Sequence, residues 1–253
     1  MSAVALQYRN DARAHLMRAL HGDEFVLLAQ EIRPLGAREH RPRCEILVRL
    51  REKDNRPVPP ATFFPLLEQH GMLAALDRWI VSRALRWQGS NARSRSFRFN
   101  INLTPQTLTD QRFPHFVAEE VRRNGLDAKD LCFEISAACA LSASISMRRC
   151  IAGLRRVGCA LAIGSPGESS RNPRGLAIKT DFIKFDGRII CRSDAEVLDL
   201  AEIRSLRTPG GAALIAERVE NPLALEVLRE AGVEFAQGFA VSPPELIERL
   251  LEE

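Results

Sequence analysis

The stretch FRFNINLTPQTLTDQRFPHFVAEEVRRNGLDAKDLCFEIS, residues 97–136, decides the fold class. Its two ends, residues 97–103 and 131–136, are short apolar runs with the residue types and alternation of strands. Between them, residues 113–125 have apolar side chains at helical spacing, and Gly125 is placed to end the helix. A strand, a helix and a second strand in this order predict two parallel strands joined by a crossover helix.

The same alternation extends through most of the chain. Six further segments have the pattern of strands: residues 24–32, 44–50, 160–164, 182–186, 212–217 and 234–239. Helical patterns fill most of the gaps between strands: residues 60–87, 143–158, 195–207 and 221–232. Eight strands that alternate with helices in a chain of 253 residues predict a (β/α)8 barrel of the TIM type.

The beginning of the chain departs from the regular barrel pattern. Residues 33–43, between the first two strands, are too few for a crossover helix, so we expect these strands to pair antiparallel. Neither an internal repeat nor a linker divides the chain. We therefore expect residues 1–19 to form a lead-in helix and residues 20–253 to form one barrel domain.

Composition excludes several classes of protein. Hydrophobic residues make up 45% of the chain and charged residues 27%, which is typical of a globular protein. No apolar run reaches the ~20 residues of a membrane span, and the charged N-terminus is unlike a secretory signal, so we expect a cytoplasmic protein without a membrane span. The net charge of +4 comes from arginines that alternate with acidic residues along the chain, so we expect no DNA partner. The six cysteines lack zinc-site spacing and are expected to be buried thiols.

Polar side chains interrupt strands that a parallel sheet usually keeps apolar. Glu45 and Arg49 share one side of the second strand, and Asn100 and Asn102 share one side of the third. Later strands carry one polar residue each: Glu134, Lys184, Glu217 and Gln237. Because a barrel brings its strand ends to one mouth, we expect these side chains to meet there. Carboxylate and amide oxygens favour Mg²⁺, Mn²⁺ or Ca²⁺, whereas Lys and Arg beside them favour a ligand that bears phosphate.

These segments resemble, in order, the EAL domain family, whose enzymes open cyclic di-GMP to the linear dinucleotide. Eight segments carry the resemblance: QEIRPL (30–35), EILVR (45–49), PPATFFPLLEQHGML (59–73), NINLTPQTL (100–108), FEIS (133–136), FIKFD (182–186), IAERVE (215–220) and AQGF (236–239). The EILVR segment resembles the Glu-Ala-Leu-Leu-Arg signature of the family. The resemblance implies a TIM-like barrel and a function in bacterial cyclic di-GMP signalling.

The resemblance also implies roles for individual residues. Glu45, Asn102 and Glu134 stand where the family holds its first metal ion. Lys184 stands where the family orients the attacking water, and it would serve catalysis together with Glu217. The resemblance places the following residues around the nucleotide, with Arg49 on a phosphate: Gln30, Glu45, Leu47, Arg49, Glu217, Glu220 and Gln237.

The end of the fifth strand departs from the family. Gly164 and Ser165 stand in place of two adjacent aspartates, and Ala137 replaces the second Glu of the family's Glu-Ile-Thr-Glu motif. Hydrolysis by two metal ions requires cations about 3.5–4 Å apart, and carboxylates must bridge them. Without the aspartates we expect Mg²⁺ or Mn²⁺ to bind weakly or not at all. Glu168, in the altered loop 165–175, is the one nearby carboxylate that could substitute.

We therefore predict a degenerate EAL domain that is catalytically inactive and acts as a cyclic di-GMP receptor. One alternative is a nucleotide-independent regulator that binds a protein partner through the barrel exterior or the altered loop. A second alternative is a weak metal-dependent phosphodiesterase, which the retention of Lys184 and Glu217 favours. EAL domains commonly form homodimers, and the sequence leaves open whether this chain does.

Overall fold

The computed structural model describes residues 12–22, 24–36, 41–51, 57–164, 178–188 and 210–252, together with Ile203 and Leu206. Several sequence expectations fall outside these residues. They are residues 1–11 of the predicted lead-in helix, the replacement at Ser165, the loop 165–175 that contains Glu168, the thiol of Cys191, and the predicted helix 195–207 apart from Ile203 and Leu206.

All eight predicted strands are present, with ends that differ by a few residues. The predicted first strand corresponds to β1, and three short strands, β2, β4 and β11, are additional, with β2 in the stretch predicted as a connection. The strands are β1 (Phe25–Glu31), β2 (Arg33–Pro34), β3 (Arg43–Arg51), β4 (Pro57–Val58), β5 (Arg98–Asn102), β6 (Leu131–Ile135), β7 (Ala160–Ile163), β8 (Phe182–Asp186), β9 (Ala213–Glu217), β10 (Phe235–Ala236) and β11 (Glu245–Leu246).

The strands form one curled sheet in the order β11-β1-β3-β5-β6-β7-β8-β9-β10-β2, with β4 paired to β3. Pairing from β3 through β10 is parallel. The pair β1–β3 is antiparallel, which confirms the expected departure at the first strand. Because β2 follows β1 directly and pairs with β10, one run of chain joins both ends of the sheet into a TIM-like barrel.

Helices alternate with the parallel strands along the part of the chain that the structure describes. They are α1 (Ala12–His21), α2 (Pro60–Gln69), α3 (Leu73–Gly89), α4 (Pro105–Thr109), α5 (Phe113–Arg123), α6 (Ala137–Leu141), α7 (Ile145–Val157) and α8 (Pro222–Glu230). Short 3-10 helices add Ser94–Ser96, Ala128–Asp130 and Ile247–Leu251. No helix of the described residues is long and apolar enough to cross a membrane.

The main core lies between the sheet and the surrounding helices. Phe99 and Phe133, from neighbouring strands, are fully buried, and Phe133 makes an edge contact with Phe113 of α5 at 5.9 Å. Leu16 and Ala19 of α1 belong to the same core as the barrel residues. The division of the chain at residue 19 stays a prediction. The five cysteines that the structure describes are buried, as expected: Cys44, Cys132, Cys139, Cys150 and Cys159.

A buried carboxylate fixes the chain where it leaves β5. Asp77 of α3 is 2% exposed, and its Oδ2 accepts hydrogen bonds from the Thr104 backbone N–H (2.8 Å) and hydroxyl (2.7 Å) and from the Thr107 hydroxyl (2.6 Å). These bonds satisfy donors at the beginning of α4, two residues after Asn102. Asp77 therefore helps to position the end of the third barrel strand.

We expect Asp77→Ala to lower the free energy of unfolding by about 2–4 kcal/mol, because it leaves buried donors without an acceptor. Urea denaturation monitored by circular dichroism measures the change. Glu119→Ala, on the exposed face of α5, is the control and should change the stability by less than about 0.5 kcal/mol. Equal losses in the two variants would contradict the role of Asp77.

Candidate functional site at the barrel mouth

A buried ammonium group stands at the centre of the barrel mouth. Lys184 is 1% exposed. Its Nζ lies 2.7 Å from Glu45 Oε2, 2.9 Å from Glu134 Oε2 and 3.5 Å from Glu217 Oε2. These four residues come from β3, β6, β8 and β9, so the predicted convergence of the strand ends is present in the structure.

Strand alternation explains why Lys184 points inward. Its neighbours Ile183 and Phe185 are buried in a hydrophobic cluster with residues of β9 and α8. The side chain between them therefore lies on the opposite face of β8, inside the barrel. A lysine in this position is buried by the register of the strand, so it needs carboxylates to balance its charge.

Two amide side chains extend the network around Glu45. Asn102 Nδ2 donates to Glu45 Oε1 at 2.7 Å, and Gln237 Nε2 donates to Glu45 Oε2 at 2.8 Å. Gln237 Nε2 also lies 3.0 Å from Gln30 Oε1, and Gln30 Nε2 donates to the Ser242 carbonyl at 3.0 Å. The structure thus brings Gln30, Glu45, Asn102, Glu134, Lys184, Glu217 and Gln237 into one continuous set of contacts.

The three buried charges perturb one another. Burial opposes ionisation of Glu45, but the attraction and hydrogen bond of Lys184, with the bonds from Gln237 and Asn102, outweigh it and lower the pKa of Glu45. Burial raises the pKa of Glu134 to about 7, although Lys184 opposes the shift. Burial disfavours the charged form of Lys184, but Glu45, Glu134 and Glu217 outweigh this effect and raise the pKa of Lys184. Lys184 is therefore a permanent cation.

The described residues do not fit a two-metal centre in this arrangement. Among them, no group of three or more His, Cys, Asp or Glu side chains has the geometry of a metal site. The Lys184 ammonium already contacts the carboxylates that would hold the first ion. A Cβ built at Gly164 would lie 2.9 Å from Glu134 Oε1, so the carboxylate of Glu134 occupies the space beside this strand end.

Arg49 stands apart from the carboxylate network. By alternation it shares one face of β3 with Glu45 and Leu47, and both Leu47 and Arg49 are partly exposed. Arg49 Nη1 donates to the carbonyl of Val48 at 2.9 Å. No carboxylate of the described chain forms an ion pair with Arg49, and its partial burial lowers the pKa of the guanidinium. This arrangement leaves a cation facing the open part of the mouth.

Glu220, like Leu47 and Arg49, is a predicted site residue that the structure does not bring into the network. It is exposed, and within the described segments no hydrogen bond joins it to Glu45, Lys184 or Glu217. Its charge acts instead on Arg188.

Sequence reasoning missed two arginines at the mouth. Arg218 Nη2 lies 3.3 Å from both Glu217 Oε1 and Asp186 Oδ2. Arg188 pairs with Asp186 through Nη2 at 2.7 Å. The sequence does contain a signal for Arg218, because this arginine in the segment IAERVE stands where the EAL family has glycine.

A buried arginine below the mouth was also missed. Arg43 is 6% exposed, donates to Asn100 Oδ1 at 2.7 Å and lies 4.5 Å above the ring of Phe182. Asn100 is therefore a partner of Arg43 and not of the Lys184 network. The sequence pattern placed Asn100 and Asn102 on one side of the strand, but it did not separate their two layers.

We expect Lys184→Met to lower the free energy of unfolding by about 3–5 kcal/mol, because it leaves buried carboxylates without their cation. Denaturation in urea at neutral pH measures this loss. Lys129→Met is the matched control, since the Lys129 side chain is 80% exposed, and it should be nearly neutral. If Lys184→Met were as stable as the control, the ammonium would not be holding the site together.

We expect the stability of the wild type, relative to Glu134→Gln, to fall as the pH rises from about 4.5 to about 7. The folded state raises the pKa of Glu134 from 4.5 to about 7, so it binds a proton more tightly than the unfolded chain. That contribution is complete below the unfolded pKa and is lost as the pH approaches the folded value. Glutamine does not titrate, so Glu134→Gln should not lose stability in this way. If the free energy of unfolding had the same pH dependence in both proteins, the raised pKa of Glu134 would be contradicted.

Comparison with known proteins agrees with this architecture. The EAL domain model matches residues 13–244. The chain is 28% identical over 243 residues to cyclic di-GMP phosphodiesterase PdeF of Escherichia coli, and 26% identical over 250 residues to cyclic di-GMP phosphodiesterase PdeA of Borreliella burgdorferi. These matches cover 94% and 97% of this chain, but only 32% and 37% of the two relatives. The chain thus spans about a third of their length.

Among solved structures, the chain is similar to the EAL domain of FimX from Pseudomonas aeruginosa bound to c-di-GMP. The TM-score is 0.81 at 25% identity, and the alignment covers 93% of this chain and 97% of that chain. The family match spans most of the sequence, and the barrel that the resemblance implied is the one observed. This chain belongs to the EAL domain family.

Proposed function

We propose that this EAL domain is a receptor that binds cyclic di-GMP at the barrel mouth and leaves it intact. One observation carries the proposal. The Lys184 ammonium contacts Glu45, Glu134 and Glu217 at 2.7–3.5 Å, so the carboxylates that would hold metal ions are engaged with a side-chain cation. Gly164 contributes no carboxylate in compensation.

The residues that serve binding are independent of a metal. Arg49 offers a guanidinium without a carboxylate partner among the described residues, and a guanidinium can bind a phosphate through two parallel hydrogen bonds. Gln237 Oε1 is buried and has no hydrogen-bond partner in the described part of the chain. An unsatisfied buried acceptor is unfavourable, but this oxygen has almost no accessible surface, so a nucleobase N–H group would reach it only after the amide turns toward the mouth. Leu47, between Glu45 and Arg49, adds apolar contact.

The residues that would serve hydrolysis are arranged poorly for it. A lysine ammonium has three N–H donors, and Lys184 faces three carboxylates. Two of these donors form hydrogen bonds, to Glu45 at 2.7 Å and to Glu134 at 2.9 Å, and Glu217 lies at an ion-pair distance of 3.5 Å. Glu217, the other predicted catalytic residue, contacts Lys184 through Oε2 and Arg218 through Oε1. Both oxygens of this carboxylate are therefore engaged with cations.

The comparisons support the ligand class more directly than the reaction. The two relatives in Escherichia coli and Borreliella burgdorferi are named cyclic di-GMP phosphodiesterases, whereas the FimX EAL domain was solved with c-di-GMP bound. Both groups handle the same nucleotide. The weak phosphodiesterase and the nucleotide-independent regulator are the alternative outcomes of the test. The cytoplasmic location, the protein partner and the homodimer stay predictions.

Calorimetric titration of cyclic di-GMP tests the proposal. We expect the wild type to bind, and Arg49→Ala to weaken binding at least about tenfold, which corresponds to a loss of about 1.4 kcal/mol. Arg122→Ala, at an exposed position on α5, removes the same charge and should leave the affinity unchanged. Circular dichroism verifies that each variant is folded.

Two results would contradict the proposal in different ways. The absence of heat with the wild type would exclude a receptor and favour the regulator that binds a protein partner. Equal affinity of wild type and Arg49→Ala would remove Arg49 from the binding site.

A further inference from the structure

Arg218 adopts a backbone conformation that is unfavourable for its residue type. Its φ is +57°, and among the described residues it is the one non-glycine residue with positive φ. A left-handed conformation crowds the Cβ of an L-residue, so glycine is usual there and a long side chain is rare. Arg218 directly follows Glu217, the last residue of β9.

The surrounding packing imposes this conformation. Val219 is 1% exposed, and its backbone N–H donates to the Gln237 carbonyl at 3.0 Å. A Cβ built at Gly238 would lie 2.3 Å from the Val219 nitrogen, and one built at Gly187 would lie 2.8 Å from Val219 Cγ2. Val219 is thus held between two glycines, and the residue before it must turn sharply. Glycine would meet that requirement without strain, so the arginine needs another explanation.

A role in stabilising the fold does not account well for Arg218. Its guanidinium side chain is 50% exposed, and ion pairs at such exposure contribute little to stability. Asp186 already has Arg188, whose Nε and Nη2 form a fork at 3.0 and 2.7 Å from its two carboxylate oxygens. Arg218 therefore adds a second cation to a carboxylate that is already paired.

The position of Arg218 relates it to the buried network. Glu217 Oε1 lies 3.3 Å from Arg218 Nη2, and Glu217 Oε2 lies 3.5 Å from Lys184 Nζ. One carboxylate thus separates a buried cation from a partly exposed one. Four carboxylates and three cations meet at this side of the mouth: Glu45, Glu134, Asp186, Glu217, Lys184, Arg188 and Arg218. The three cations offset most of the negative charge that a site for divalent cations requires.

We propose that Arg218 is a phosphate-binding residue that, together with Lys184, supplies the positive charge that divalent cations would otherwise provide at this mouth. The proposal rests on the proposed receptor function. Strain retained at one position, when the neighbouring packing would accept glycine, is typical of residues kept for a ligand. The ligand chemistry is a phosphodiester, and its binding requires no metal ion.

The test is calorimetric titration of cyclic di-GMP in EDTA and again with Mn²⁺, using the wild type, Arg218→Gly and Arg218→Lys. We expect the wild type to bind equally well in both buffers and Arg218→Gly to bind at least about tenfold more weakly. Arg218→Lys, which keeps the charge, should fall between them. Arg229→Gln, an exposed residue on α8 paired with Glu226, is the control for loss of one charge and should bind like the wild type.

Thermal unfolding without ligand separates a binding role from a structural one. We expect Arg218→Gly to raise Tm by about 2–4 °C, because glycine relieves the backbone strain. A lower Tm would show that the guanidinium serves the fold and would overturn the inference.

Three binding results would also overturn the inference. Undiminished affinity of Arg218→Gly, or wild-type binding that requires Mn²⁺, would reject Arg218 as the phosphate-binding residue while the receptor function stands. No binding by the wild type in either buffer would reject the receptor function itself.

Discussion

The mouth of this barrel depends on one buried ion cluster, in which Lys184 faces three carboxylates from three other strands. Glu45, Glu134 and Glu217 would repel one another in a site of low dielectric constant if no cation stood between them. The ammonium balances that repulsion. The Asn102 amide donates to the other oxygen of Glu45, Oε1, and the Gln237 amide donates to Oε2 beside Lys184. The closure of the sheet through the chain segment of β1 and β2 brings these groups together.

The same cluster is the basis for our proposal that this EAL domain binds the nucleotide without hydrolysing it. Hydrolysis by two metal ions needs bridging carboxylates and a water molecule free to react. Here Gly164 offers no carboxylate, Glu134 occupies the adjacent space, and the Lys184 ammonium lies among three carboxylates. Binding of a phosphodiester needs only cations and hydrogen-bonding groups, and in our proposal Arg49 and Arg218 supply the cations. On this proposal, binding does not depend on the groups that hydrolysis requires.

Much of this arrangement was predictable from the sequence, because strand alternation is a local property. It located β3, β5, β6, β8 and β9 and identified Glu45, Glu134, Lys184 and Glu217 as inward-facing residues that converge. It did not reveal what those residues touch, since Lys184 and Glu45 lie 139 positions apart. Nor did it show the φ of Arg218, which follows from the packing of Val219 between Gly187 and Gly238. The strand β2, which pairs with β10, is two residues long, and so short a segment has too little hydrophobic alternation to be recognised in the sequence.

We propose that the cation cluster binds the nucleotide without cleaving it. The most direct measurement is chromatography of cyclic di-GMP after prolonged incubation with the full chain and Mn²⁺, followed by denaturation of the protein to release bound nucleotide. We expect all of the nucleotide to be recovered in its cyclic form. Recovery of the linear dinucleotide, at a rate proportional to protein concentration, would contradict it.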